Sequence, residues 1–390
     1  MVSSVTRDLT IILDRLRSAE GRSPLRYPAS GGGAVQSLRA LALLLVFSFH
    51  FAGFAVVHRE DSLGIVLTGW ALPLGSLGTN CFLVVSGALG WLSCQRREEP
   101  FRRFAWRRIR RLYPPYLATL LLYLALSILF PGQSKLPGDW ADLFVYLLRN
   151  LVLLPGIFPE RPIITVTWAL TLILAFYLVI PGLRSGVQRV ARNGQGEVAL
   201  LAGVGAVWIV LCSLFPALPF RLVFLLAGCI VAASLSSAGP GWDESSRWSM
   251  LGGASLIIYV LTLSWTAAWF LQFLISAVGL MAITRACLCS RSGWIGRWPF
   301  VALGNMGYSF YLLHGLTIKF MFIVFLPRWA PDRAGWQMVL PTLILAMAAS
   351  TILFRLVEQP GRWPWETPVP LAGGDPREAR PALRAMAAKA

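Results

Sequence analysis

The sequence predicts an all-α polytopic membrane protein with about ten transmembrane helices and one short re-entrant segment. Three observations carry this. Hydrophobic residues make up 56% of the 390-residue chain. Charged residues make up only 14%, against about 25% in a soluble domain. Apolar runs of roughly 18 to 20 residues recur along the length, each enough to cross about 30 Å of hydrocarbon as a helix. Strict alternation is missing and the runs are too long for barrel strands.

The spans fall near 38–57, 76–93, 113–130, 164–183, 197–214, 217–235, 249–266, 268–286, 302–326 and 337–356. An eleventh apolar stretch, Asp142 to Gly156, is short and interrupted by Arg149. Charge orders these spans. The run Arg96 to Arg111 holds eight arginines against two glutamates, so it is assigned to the cytoplasm. Further basic stretches follow Leu183 and Thr284. The third span then runs outward and the one ending at Leu183 runs inward. No complete crossing fits between them, so 142–156 is expected to be re-entrant. Both termini are expected in the cytoplasm, in a multi-pass protein of the bacterial inner or plasma membrane.

Residues 1–34 read as a cytoplasmic segment and linker. Within them Val5, Leu9, Ile12, Leu13 and Leu16 recur at helical spacing, as in a helix lying on a membrane surface. The membrane domain is expected over 35–363, and 364–390 reads as a disordered cytoplasmic tail rich in Pro, Ala and Arg. The net charge of +17 does not indicate nucleic acid, because the arginines cluster between apolar spans. The six cysteines lie in or beside apolar segments and read as small hydrophobes. Cys287 and Cys289 lack a second ligand pair, so no metal is expected.

Of three histidines, His50 and His314 fall inside spans and His58 in a loop. Arg39 and His50 are eleven residues apart, roughly three helical turns and 16 Å, so they share one face. An ionisable group at mid-membrane marks function more often than packing.

The motifs then become specific as a set. The stretch "LRALALLLVFSFH", with its arginine and histidine at that spacing, resembles the first-helix signature of the membrane acyltransferase-3 family. "LGTNCFLVVSGALGWL" is similar to the family's second helix through Gly78, Phe82, Ser86 and Gly87. "FAWRRIRRLYPPY" matches through Arg108, Arg111, Pro114 and Tyr116, and "WALTLILAFYLVIP" through Trp168, Leu170, Phe176, Tyr177 and Pro181. "MGYSFYLLHG" matches through Ser309, Leu312 and His314, and "FRLVEQPGRW" through Glu358 and Pro360. The resemblance covers roughly residues 35 to 363. It departs from the family at two acidic positions, which are Asn80 and Ile173 here.

The resemblance implies acyl transfer, usually acetyl, from cytoplasmic acyl-CoA to a hydroxyl of a carbohydrate or other secondary product. His50 is then the expected base, with Arg39 on the same helix face orienting the donor. Arg108 and Arg111 are expected to bind CoA phosphates, since guanidinium groups pair bidentately with phosphate. Ser86, Trp168, Tyr311 and His314 are expected to line the substrate site. Each also has a plainer reading: close packing for Ser86, an interfacial belt for Trp168, interhelical hydrogen bonding for His314. Glu358 reads as a structural partner for an arginine. The expected acceptor is a cell-surface glycan or glycolipid, with a macrolide-type metabolite as the alternative. A lipid-linked-sugar flippase would show inverted repeats and paired broken helices, which the sequence lacks. Loss of the glutamate at Ile173 leaves a non-catalytic relative as a third reading.

Overall fold

A computed structural model describes residues 31–58, 62–96, 100–153, 162–191, 193–238, 244–263, 269–290, 299–329 and 335–366. The surface-helix expectation for 4–18 and most of the expected tail lie outside these residues. The described chain is built of helices, in order α1 (Gly31–His58), α2 (Ser62–Arg96), α3 (Phe101–Leu129), α4 (Trp140–Leu151), α5 (Thr167–Val190), α6 (Gly194–Leu214) and α7 (Leu222–Ala238). There follow α8 (Glu244–Leu261), α9 (Trp269–Cys289), the short α10 (Phe300–Asn305), α11 (Gly307–Lys319) and α12 (Val339–Leu353).

Each of the ten expected spans overlaps a described helix, and among the described residues eight helices are long and apolar enough to cross a membrane; Leu222–Leu235 is shorter, and Glu244–Leu261 is not among the eight. This is a multi-pass membrane protein. α11 continues as a wide π-helical stretch over Phe320–Phe325, and α12 ends in another over Phe354–Glu358. Gly361, at φ 77°, then turns the chain by a conformation that costs glycine little.

Several boundaries differ from expectation. The glycines at 31–33, expected in the linker, form the first turn of α1. That end packs against α10, where Gly304 lets the Gln36 carbonyl approach closely, and tertiary contact overrides glycine's poor propensity. α2 starts well before 76 and runs through Pro73. The arginine run is not a loop: Arg102 to Arg111 form the first turns of α3, so Arg108 and Arg111 stand one turn apart on one face. α5 likewise runs on through Arg184 and Arg189. Residues 364–366 are ordered rather than tail, held by Asn305 Nδ2 donating to the Pro364 carbonyl (2.7 Å) and by the stacked Trp363 and Trp365 rings (4.4 Å).

Of the stretch expected to re-enter, 154–156 lie outside the described residues, and the rest falls on α4, which at 12 residues is about 18 Å long and too short to cross. Asp139 caps its first turn through Ala141 N–H (2.9 Å) and Asp142 N–H (3.3 Å). The two ends of the excursion are tied together, since Lys135 Nζ donates to the Pro162 carbonyl (3.1 Å) and to Thr165 Oγ1 (3.0 Å). α4 turns its apolar residues Trp140, Phe144 and Leu148 outward and buries Tyr146 and Asn150. Asn150 Oδ1 accepts from Ile163 N–H (3.0 Å), and the Asn150 carbonyl accepts from Tyr116 of α3.

Three apolar clusters hold the bundle. One centres on α2 and α7, with Leu83, Val84, Trp91 and Leu225 fully buried. There Gly87 faces the Leu225 carbonyl and Gly228 faces the Val84 carbonyl, so the two backbones touch. A second joins α1 to α11 and α12 through Phe47, Phe310 and Phe322. A third joins α3, α4 and α5 through Tyr116, Tyr123, Tyr146 and Leu170. A cavity lies where they meet, lined by α1, α2, α3, α5 and α11.

Candidate active site

The cavity has a volume of about 120 Å³. At the arginine-rich end its lining includes Arg39, Arg108 and Arg111, and further in Ser86, Ile173, Tyr177 and Tyr311. Five of the eight expected site residues thus share one space, drawn from four helices. Arg111 is exposed at the mouth and Arg108 is half-buried. The Arg108 guanidinium lies over the rings of Tyr177 (4.6 Å) and Phe104 (5.1 Å), contacts that fix its plane. Arg39 Nη1 donates to Gln36 Oε1 (2.9 Å) one turn back on its own helix. A Cβ at Gly307 on the facing helix would meet Leu43 Cδ1 tightly at 3.1 Å and the Arg39 guanidinium in ordinary contact at 3.7 Å.

Glu358 closes this end. Its Oε2 accepts from Ser309 N–H (3.1 Å) and Oγ–H (2.6 Å), joining the end of the last helix to the start of α11. Its charge acts on both Arg39 and Arg111. The expected arginine partnership of Glu358 is therefore electrostatic, and its direct bonds go to Ser309. A carboxylate there also offsets part of the charge that three guanidinium groups bring to the cavity mouth.

His50 and His314 do not line the cavity but form a pair beyond it. Their ring centroids are 5.2 Å apart at 49°. His314 is 1% exposed and stacks on Phe310 at 6.0 Å and 9°. Its Nδ1 lies 3.1 Å from the Phe310 carbonyl one turn earlier. A carbonyl only accepts, so Nδ1 carries the proton and Nε2 presents a lone pair. That buried Nε2 has no hydrogen-bond partner among the described residues. His50 is half-buried, with Phe49 edge-on at 4.8 Å. Tyr311 connects the two regions: it lines the cavity, and its ring centroid is 6.0 Å from that of His314. Its hydroxyl donates to the Val166 carbonyl (2.7 Å), at the return of the α4 excursion.

Trp168 is half-buried and sits beside the cavity rather than in it. Arg221, at the entry to α7, lies over its ring at 5.0 Å and donates from Nη1 to Asn80 Oδ1 (3.1 Å). Sequence reading did not single out Arg221. Its signal was one arginine between two apolar runs, which resembles an ordinary loop charge. The structure shows that Asn80, one of the two departures from the family pattern, is its acceptor. The other departure, Ile173, lines the cavity, so an apolar side chain stands where a carboxylate was expected. Ser86 and Gly87 divide two tasks, the hydroxyl-bearing residue on the cavity and the glycine against α7.

Among the described residues no group of three His, Cys, Asp or Glu side chains is placed to hold a metal, and all six cysteines are free thiols.

A bundle with cations at one end of a deep cavity and a histidine pair beyond its inner wall is a design for group transfer within a membrane. Comparison with known proteins agrees: residues 33–355 match the family model described as an acyltransferase domain, and the chain belongs to the acyltransferase-3 family. It is an acyltransferase. It is similar to Acyltransferase MdmB of Streptomyces mycarofaciens, 26% identical over 366 residues, covering 84% of this chain and 90% of that protein. It is also similar to the Exopolysaccharide production protein ExoZ of Rhizobium meliloti (strain 1021), 28% identical over 122 residues, covering 30% of this chain and 36% of that protein. No solved structure matches it significantly.

Proposed function

We propose that the protein is an O-acyltransferase that takes an acyl group, acetyl first among candidates, from acyl-CoA at the arginine-rich face. The acceptor is the hydroxyl of a glycan or glycolipid. The observation that carries this reading is the shared cavity of Arg39, Arg108 and Arg111, whose lining includes no acidic side chain. Phosphates of CoA suit three guanidinium groups at a mouth, and the thin pantetheine arm suits a passage between apolar walls. The positive charge near Arg102 to Arg111 supports a cytoplasmic assignment for this face, where acyl-CoA is found, and for both termini.

In the reaction the acceptor hydroxyl loses its proton to His50 as its oxygen attacks the thioester carbonyl carbon. The carbon–sulfur bond then breaks and the proton passes to the departing thiolate of CoA. Imidazole suits this because it takes up and releases a proton near neutral pH. His314 packs its ring against that of His50, centroids 5.2 Å apart, and so holds His50 in place while a ring nitrogen of His50 takes the hydroxyl proton. The printed name of the Rhizobium relative, an exopolysaccharide production protein, favours a glycan acceptor over a macrolide-type metabolite.

Transfer from labelled acetyl-CoA by the purified protein against a panel of glycans and glycolipids tests the reading; no transfer to any of them would count against it. Arg108→Ala and Arg111→Ala should each raise the KM for acyl-CoA by roughly 10- to 150-fold, as expected for a lost charge-assisted contact. The acceptor KM should change far less. Unchanged donor kinetics in both variants would reduce these arginines to topology signals. Ile173→Glu, which restores the family carboxylate beside the arginines, should not improve turnover. A large gain would mean that the natural chain is an impaired enzyme.

A further inference from the structure

Arg221 stands apart from the arginines of the cavity mouth. Trp168, whose ring its guanidinium covers at 5.0 Å, lies in the first turn of α5, and the last turns of that helix carry Arg184 and Arg189. Arg108 meets the same helix at Tyr177, nine residues or about 13.5 Å nearer that basic end. Thr79 and Ala169 line the cavity, while their chain neighbours Asn80 and Trp168 hold Arg221. Arg221 therefore adjoins the cavity from the membrane side opposite the arginine-rich mouth.

A cation at the end of a span ordinarily snorkels to the water interface. Arg221 turns inward instead. Its Nη1 donates to Asn80 Oδ1 (3.1 Å), and Asn80 stands eleven residues into the apolar span Gly69–Gln95, about 16 Å deep. A charge held at that depth marks function by default. The Tyr311 phenol lies within electrostatic reach of the guanidinium, and the Tyr311 ring is 6.0 Å from that of His314. One side chain thus parts Arg221 from the histidine pair. A guanidinium carries five N–H donors in a planar fork, and among the described residues Asn80 takes one of them. Arg221 is only half-buried, so a ligand can reach the others. Two parallel N–H groups match two oxygens on neighbouring atoms, which is how a sugar ring presents adjacent hydroxyls.

We propose that Arg221 binds the acceptor and sets its specificity, an inference that rests on the acyltransferase reading. The fork, held in plane by Asn80 and Trp168, takes two adjacent hydroxyls of a sugar unit. A further hydroxyl of the same sugar reaches past Tyr311 to His50. Donor and acceptor then approach the histidines from opposite membrane sides.

The first test needs no turnover. The full chain in nanodiscs is treated with phenylglyoxal, which modifies arginine, and adducts at Arg221, Arg108 and Arg111 are counted by peptide mass spectrometry. The probes are CoA, the methyl glycosides of glucose, galactose and mannose, and glycerol. At least one glycoside should slow modification of Arg221 about tenfold at saturation and leave Arg108 and Arg111 unchanged. CoA should do the reverse, and glycerol should protect none of them. Asn80→Ala, which frees the guanidinium, should weaken the protection by glycoside. No protection of Arg221 by any glycoside, or equal protection by glycerol, would overturn the proposal. In transfer assays Arg221→Gln and Arg221→Lys should each raise the acceptor KM about tenfold or more and leave the KM for acyl-CoA unchanged, since lysine keeps the charge and loses the fork. A purely structural arginine would lower the thermal transition and move both KM values together, and that result, or an unchanged acceptor KM, would also overturn it. Protection of Arg221 without any acyl transfer would count against the acyltransferase reading and not against this sugar site.

Discussion

His50→Ala should lower acyl transfer per folded molecule by about 10²- to 10⁴-fold, the usual contribution of a positioned general base. The protein should still insert, stay monodisperse and bind CoA, because Arg39 lies roughly three turns away on α1 and Arg108 and Arg111 stand on α3. A histidine serving only to pack makes the opposite forecast. Its removal would open space beside Phe49 and His314, lower stability and leave turnover per folded molecule nearly intact. Turnover normalised to the folded fraction, read beside a thermal transition, separates the two. His50→Gln sharpens the comparison, since it keeps a polar side chain and loses the base.

Gly228→Val should destabilise the fold by about 3 kcal/mol or more, at the upper end of overpacking penalties. The new Cβ meets the Val84 carbonyl and the backbone at Gly87 and Ala88, and backbone atoms cannot rotate aside as a side-chain end does. α2 and α7 would have to separate along the cluster that contains Leu83 and Trp91. Gly203→Val in α6 provides the control, because nothing lies within 4 Å of a Cβ there. Thermal transitions in detergent should show a large loss for the first variant and little change for the second. Equal transitions would mean that the α2–α7 contact is looser than described.

Much of this architecture was legible because lipid imposes one rule on every segment: satisfy the backbone within a helix and keep charge at the ends. That rule located the helices: eight of the described ones are long and apolar enough to cross, and α4, within 142–156, is not among them. It failed at helix ends. Arginines after a span were read as loop residues, whereas Arg102 to Arg111 and Arg184 to Arg189 extend their helices beyond the apolar length. Hydropathy measures where the lipid stops, and a helix need not stop there. Gly31–Gly33 were read as linker for a related reason, since local propensity carries no information about the partner helix that stabilises them.

At the site, the periodicity of one helix placed Arg39 and His50 on a shared face. It did not reveal that the cavity-lining arginines and the histidine pair occupy adjoining spaces with Tyr311 between them. That arrangement depends on the meeting of five helices. Arg221 and Lys319 were passed over for the same reason. A single cation at the end of an apolar run looks like an anchor until the structure sets Asn80 and Trp168 around the first and a cavity around the second.

The central claim is that a donor held by the arginines delivers its acyl group to the histidine pair. The most direct measurement uses an acyl-CoA whose acyl group carries a diazirine, photolysed on the purified protein and mapped by peptide mass spectrometry. The account predicts adducts within residues 37–51 of α1 and 307–316 of α11, around His50, Tyr311 and His314. Excess CoA should abolish them, and so should the combined Arg108→Ala and Arg111→Ala substitutions. Adducts confined to the arginine-rich surface, or insensitive to CoA, would contradict it.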